Sequence, residues 1–147
     1  MKNRSKIKFL NFLLQNGNKK TCEKILLKCF KSLQKSSDKC HKKIFKLALV
    51  NSTPVFRIIV LRNKKVRKKN RQLKKVPKLI TKNFERISWS MKYMLNFTKQ
   101  SLHTRSHVKL GREIISNAQN KGDATNNVPY HQKQAILNKR FLLHFRW

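Results

Sequence analysis

The side chains that could carry catalysis are few and scattered. Five acids, Glu23, Asp38, Glu85, Glu113 and Asp123, stand singly along 147 residues. No two of them are spaced on one helical face for paired acid and base work, and none gathers with another to hold a metal. His103 and His107 lie i and i+4 apart, the spacing of two ligands on one turn of helix, but no third ligand and no HExxH pattern accompanies them. Cys22, Cys29 and Cys40 form no CxxC pair, and an odd set suits a reducing compartment better than a disulfide framework. With 3 glycines there is no phosphate-cradling loop and no nucleophile elbow. These residue types point to binding, with no enzyme activity and no cofactor.

What the chain has in excess is positive charge. Lys and Arg number 37 against 5 acids, a formal net charge of +32. Compaction of so charged a chain works against its own repulsion, so a polyanionic partner is expected. A hydrophobic content of 39% is still enough for a core, which excludes a wholly disordered basic tail. No apolar run approaches the roughly 18 residues that span a bilayer, so no membrane insertion is expected. The densest basic run lies between Arg57 and Lys82, and no acid occurs from Lys39 through Phe84. The candidate RNA contacts are Lys2, Arg4, Lys6 and Lys8 at the start, then Lys19 and Lys20. Arg57, Arg62, Lys64, Lys65, Arg67, Lys68, Lys69, Arg71, Lys74, Lys75, Lys78 and Lys82 form the central group. Arg86, Lys92 and the terminal Arg146-Trp147 complete the set. Charge spread over several faces suits a protein embedded in folded RNA better than one docked in a single groove.

The elements that must position these residues are mainly helical. Helix one is expected from Lys6 to Gln15, stopped by Asn16-Gly17, with a short basic loop, Asn18-Lys19-Lys20, after it. Thr21 is placed as the cap of helix two, whose Cys22, Ile25, Leu26, Cys29, Phe30 and Leu33 follow one face. Helix three spans about Lys39 to Asn51 and turns Ile44, Phe45, Ala48 and Leu49 inward. Two β-rich arms follow, Val55–Leu61 and Leu73–Ile80, bounded by Pro54 and Pro77, and they read as a two-stranded ribbon with a cationic tip. A lone ribbon is marginal in water and needs a body or a ligand to lean on. Helix four, to about Gln100, points Phe84, Ile87, Met91, Met94, Leu95 and Thr98 inward. Helix five runs from about Thr104 to a left-handed cap at Gly122. Helix six starts near Pro129 and carries Ala135, Ile136, Leu137 and Phe141. The expected architecture is mainly α, a six-helix, bundle-like body with a protruding ribbon between helices three and four. Residues 1–147 are expected to make one RNA-binding domain, with 1–5 a short basic arm.

On these residues the chain resembles the small-subunit ribosomal protein seven family. The early match is Lys8-Phe9, Asn11, Leu13, Gly17, Lys19-Lys20, Thr21 and Glu23, similar to K-F-x-N-x-L and G-K-K-S-T-A-E. Asn51 and Pro54 open the ribbon and Val76-Pro77 close it. Met91-Lys92-Tyr93 resembles M-R-W, and Leu110, Glu113, Ala118 and Asn120-Lys121-Gly122 resemble the family's L-x-x-E, A and N-K-G. His131, Ala135, Asn138-Lys139 and Phe141 follow, and His144-Phe145-Arg146-Trp147 resembles the family's terminal H-Y-R-W or H-F-R-W.

The resemblance implies a primary binder of small-subunit ribosomal RNA that nucleates the head of the subunit. It also implies a ribbon and last helix near the exit-site transfer RNA and the messenger RNA path, with other head proteins and platform protein eleven as neighbours. Three departures are visible. The basic arm before helix one is cut to about seven residues, the glycines of the ribbon tip are replaced near Lys68-Lys69 in a longer segment, and Leu142 and Leu143 stand where the family carries alanine. Over-use of Lys and Asn is what an AT-rich genome writes. It suggests an organelle-encoded protein of the mitochondrial ribosome, with a plastid or an endosymbiont as the alternative. The transit-like first twenty residues are then mature helix one. A histone-like, DNA-compacting protein of an organelle nucleoid is the competing reading, for which charge alone would suffice.

Overall fold

The fold is described from a computed structural model, in which residues 3–14, 17–36, 40–62, 73–100 and 105–144 are placed. Six helices and one hairpin follow in chain order: α1 (Asn3–Leu13), α2 (Lys19–Lys35), α3 (His41–Asn51), β1 (Phe56–Arg62), β2 (Leu73–Leu79), α4 (Asn83–Gln100), α5 (Ser106–Ala118) and α6 (Asp123–Leu137). A 3-10 segment, Lys139–His144, comes last. The body is helical and the hairpin sits between α3 and α4, as the periodicity predicts.

One apolar cluster joins all six helices, with Phe9, Leu26, Cys29, Leu33, Phe45, Ala48, Met91, Met94, Leu110, Ile114 and Ala124 at its centre. The stripe of α2 buries Cys22, Leu26, Cys29 and Leu33, and that of α3 buries Ile44, Phe45, Ala48 and Leu49. Phe45 meets Phe9 and Phe30 edge to face, with ring centroids 5.2 and 5.7 Å away. Burial pushes the Cys29 thiol up to about 12, so it behaves as a core residue and not as a nucleophile. Helix α5 packs against α2, α3, α4 and α6, which makes it the element the others share. Its close fit to α2 passes through Gly111, where a Cβ would stand 3.3 Å from the Ser32 hydroxyl.

The ribbon is antiparallel, pairing Phe56 with Leu79, Ile58 with Pro77 and Arg62 with Leu73, and the Ile80 N–H extends the ladder to Val55 O at 2.9 Å. It leans on the body. β1 packs on α6, β2 packs on α6 and the 3-10 segment, and Val76, Pro77 and Ile80 are buried. Under its base the buried Ser52 and Ser90 hydroxyls meet at 2.7 Å, and Ser90 donates to Leu49 O at 3.1 Å. The tip residues Lys64, Lys65, Arg67, Lys68, Lys69 and Arg71 lie outside the described residues, as do Lys2, His103, Arg146 and Trp147.

Several local expectations are corrected. Lys19 and Lys20 lie in the first turn of α2 instead of a loop, and Thr21 does not cap it: its hydroxyl donates to Asn18 O at 2.7 Å. The left-handed residue after α5 is Asn120, with φ 60, and not Gly122. The Lys121 N–H reaches Ser116 O at 2.8 Å and the Asn120 N–H reaches Asn117 O at 3.2 Å, a Schellman closure with asparagine in place of glycine. Gly122, at φ −83, is instead the residue before α6. It is glycine because a Cβ there would collide with the Asn117 side chain and stand 2.8 Å from its backbone nitrogen. Helix α6 begins at Asp123, six residues ahead of Pro129, and ends at Leu137, so Phe141 belongs to the 3-10 segment. Of the apolar residues late in α6, Ala135 is buried while Ile136 and Leu137 are each 69% exposed. Phe84, expected on the inward face of helix four, is 66% exposed.

Candidate nucleic-acid interface

Residues on α1, β1 and α4 form a chain in which rings and cations alternate. The Lys8 ammonium sits 2.9 Å from the Phe84 ring centroid and 6.0 Å from that of Phe12. Lys92 lies 5.3 Å from the Phe12 centroid and 4.8 Å from that of Trp89, and the Arg57 guanidinium lies 5.2 Å from the Trp89 centroid. The order Phe84, Lys8, Phe12, Lys92, Trp89, Arg57 is therefore a continuous ladder across three elements. Rings extend it towards α6: Trp89 to Tyr93 at 5.9 Å, Tyr93 stacked on His131 at 5.4 Å, and His131 to Tyr130 at 5.7 Å.

Local spacing creates half of this arrangement. Lys8 and Phe12 are i and i+4 on α1, and Trp89 and Lys92 are i and i+3 on α4, so each pair shares a face. Packing of α1 on α4 interleaves the two pairs. Lys8 is fixed there, since its ammonium donates to the Ser88 hydroxyl and, at 3.5 Å, to Phe84 O. Its pKa is lowered, first by burial and then by the charge of Lys92, with Glu85 acting the other way. A cation whose own surroundings disfavour its charge is relieved by an added anion, and phosphate is the anion that also suits the rings beside it. Burial raises the Tyr93 pKa against the pull of Arg57, and burial lowers that of His131, whose Nδ1 has no hydrogen-bond partner and whose Nε2 lies 3.2 Å from Asn127 Nδ2.

Of the sequence-predicted contacts, Lys8, Lys92 and Arg57 are brought together. Arg86 is partly engaged within the fold, its Nε donating to Ile80 O at 2.7 Å and tying the end of the ribbon to α4. Lys19 and Lys20 are exposed at the start of α2, where positive charge opposes the helix dipole and an anion would be welcome. Lys6, Lys75, Lys78 and Lys82 are exposed, while Arg4, Arg62 and Lys74 are placed by backbone only, in α1, β1 and β2. Sequence reasoning missed the rings Phe12, Phe84 and Trp89 as contacts, although the spacing of Phe12 to Lys8 and of Trp89 to Lys92 was a legible signal; Phe84 has no lysine three or four positions away. Among the described residues no group of His, Cys, Asp and Glu could hold a metal ion, and no helix is long and apolar enough to cross a membrane.

A second polar cluster joins α5 to α6 and faces inward. Asn117, fully buried, donates through Nδ2 to Glu113 O and Glu113 Oε1, both at 2.7 Å. Its Oδ1 accepts from the Thr125 N–H at 2.9 Å and the Thr125 hydroxyl at 2.7 Å, and Glu113 Oε1 accepts from the Ala124 N–H at 3.2 Å. The first turn of α6 is thus capped by two side chains of α5. Asn51 closes the other end, donating to Asn117 O at 3.0 Å and Ala118 O at 3.2 Å.

Asn51, Glu113, Ala118 and Gly122 are among the residues that carry the sequence resemblance, and here they build the junction on which α6 and the ribbon base depend. Comparison with known proteins agrees in extent. The profile of the family "Ribosomal protein S7p/S5e" matches residues 2–139. A small ribosomal subunit protein uS7 of Anaeromyxobacter sp. (strain Fw109-5) is 31% identical over 140 residues, covering 95% of this chain and 85% of that protein. Its counterparts from Wigglesworthia glossinidia brevipalpis and Pseudoalteromonas translucida are 29% and 28% identical over the same coverage. With nearly the whole length matched, and the matched residues forming the joint that shapes the fold, the chain belongs to the ribosomal protein S7p/S5e family.

Proposed function

We propose that the protein is a structural constituent of the small ribosomal subunit that binds small-subunit ribosomal RNA through the face formed by α1, β1 and α4. The observation that carries this reading is the ladder of alternating cations and rings, beside which Glu85 is the acid that acts on Lys8. Cations supply phosphate contacts and rings accept unpaired bases, a pairing that suits RNA better than a protein surface. Family membership supports the ribosomal setting, and the histone-like reading gains no support from it.

The finer reading extends this. The protein nucleates head assembly and touches neighbouring head proteins and platform protein eleven. The tip of the ribbon, Lys64 to Arg71, and the terminal Arg146-Trp147 reach towards exit-site transfer RNA and messenger RNA. Arms of seven residues each support the first point, because they rise about 23 Å at roughly 3.3 Å per residue. The ribosome in question is mitochondrial on the codon-bias argument, with a plastid or endosymbiont as the alternative; the relatives matched are bacterial.

Sedimentation tests the proposal. The tagged protein should travel with small subunits through a high-salt gradient, and its affinity for small-subunit ribosomal RNA should fall with salt by roughly 0.7 to 0.9 log units per log unit for each phosphate contact. Equal affinity for duplex DNA of any sequence, with no co-sedimentation, would overturn it.

A further inference from the structure

Phe84 has the most exposed aromatic ring among the described side chains, at 66%, and it stands in the first turn of α4. A singly exposed apolar residue needs no explanation in itself, but this ring is held. The Lys8 ammonium rests on one face, 2.9 Å from the centroid, and is itself anchored by the Ser88 hydroxyl and Phe84 O. A ring fixed on one face by a cation from another helix keeps its orientation, and the degree of exposure leaves the opposite face open. Lys82 is exposed two residues before the ring, and Arg86, with its Nε tied to Ile80 O, lies two residues after it. Glu85, also exposed, is the one acid beside them.

A protein pocket receiving Phe84 would gain little from the cations around the ring. A duplex would offer no free base face, because bases inside A-form RNA are stacked on one another. An unpaired nucleotide satisfies both parts of the site: its base covers the open ring face and its flanking phosphates meet the ammonium and guanidinium groups. Resting on the RNA-binding reading above and sharpening it, we propose that Phe84 is a stacking platform for an unpaired RNA base, with Lys8, Lys82 and Arg86 taking the adjacent phosphates. The interface then recognises a bulge, loop or strand end at this corner, not a continuous helix.

The test is RNA binding by the full chain over a range of salt, using small-subunit ribosomal RNA fragments, with circular dichroism to check that each variant is folded. Phe84→Ala should weaken binding by roughly 5- to 150-fold at every salt concentration and leave the log-log salt slope unchanged, since a stacking contact releases no counterions. Phe84→Leu, which keeps apolar area but has no π face, should lose at least half of that effect on the logarithmic scale. Phe84→Trp should bind within about twofold of the parent, because an indole offers a larger stacking face. Ultraviolet cross-linking of the parent complex should yield an RNA-bearing peptide that contains Phe84. Parent-like binding by Phe84→Ala, parent-like binding by Phe84→Leu, or a cross-link that avoids this peptide would each overturn the platform. If Phe84→Ala is silent while Lys92→Ala weakens binding and lowers the salt slope, stacking at Phe84 fails and the RNA-binding reading stands. If neither variant matters and no RNA binds in a salt-dependent way, the broader reading fails as well.

Discussion

The α5–α6 junction and the ladder on α1, β1 and α4 are both polar clusters formed where elements meet, yet they are completed by different things. At the junction every donor named has a partner within the chain: Asn117 Nδ2 finds Glu113, and the Ala124 and Thr125 N–H groups find Glu113 Oε1 and Asn117 Oδ1. In the ladder the cations lie against rings, and burial and then the nearby charge of Lys92 disfavour the charged form of Lys8, with Glu85 acting the other way. A closed hydrogen-bond network specifies a fold, because removing one member strands the others in a buried place. Stacked cations specify a partner, because each is only partly satisfied until an anion arrives. The junction should therefore be sensitive in stability and the ladder in affinity.

The largest expected effect breaks the junction. Asn117→Ala removes the acceptor of the Thr125 N–H and leaves Glu113 half satisfied, at a cost of about 3 kcal/mol. Urea unfolding in sodium sulfate, where self-repulsion is screened, measures it; a loss below about 1 kcal/mol would show that the network is incidental. Gly122→Ala comes next, at about 2 kcal/mol, because the backbone at φ −83 accepts alanine and only the collision with Asn117 opposes it. The double variant Gly122→Ala with Asn117→Ala should cost less than the sum of the two, since shortening Asn117 removes the side-chain part of the collision and leaves only the 2.8 Å approach to its backbone nitrogen; strict additivity in a double-mutant cycle would put the whole cost on that backbone approach.

On the ladder the sign of the comparison reverses. Lys92→Ala should change stability in sulfate by less than about 0.5 kcal/mol while weakening RNA binding roughly 5- to 10-fold and lowering the salt slope by about 0.7 to 0.9. A variant that unfolded the protein and left the slope untouched would merge the two regions into one. The smallest effect lies at His131, between the ladder's rings and α6. Its folded pKa lies below 6.5, so the unfolded chain takes up the proton first. Stability should be intact above about pH 6.5 and fall as pH drops below that value towards the folded pKa. His131→Gln should flatten this part of the pH profile; an unchanged slope would mean that another group carries it.

Much of the fold was legible because its cause is local. The stripe of Cys22, Leu26, Cys29 and Leu33 has the 3.6-residue period of a buried helix face, and the β-branched arms between Pro54 and Pro77 have the composition of strands. The candidate site was legible only as charge. Lys8, Arg57 and Lys92 could be named as cations, but the contacts that join separate elements, Lys8 to Phe84, Lys92 to Phe12 and Arg57 to Trp89, bridge 76, 80 and 32 positions of the chain.

Helical class, the hairpin between the third and fourth helices and the expectation of a polyanionic partner could be read without coordinates, since periodicity, β-branching and a charge of +32 act over short distances or over the whole chain at once. Tertiary structure alone decided where α6 begins, why residue 122 is glycine, and which rings meet which lysines. The caps of α6 are side chains of α5, Gly122 is constrained by Asn117, and Phe84 stays outside with Lys8 of α1 upon it. Contacts between separate helices carry no period along the chain, so they became visible only when the helices were packed.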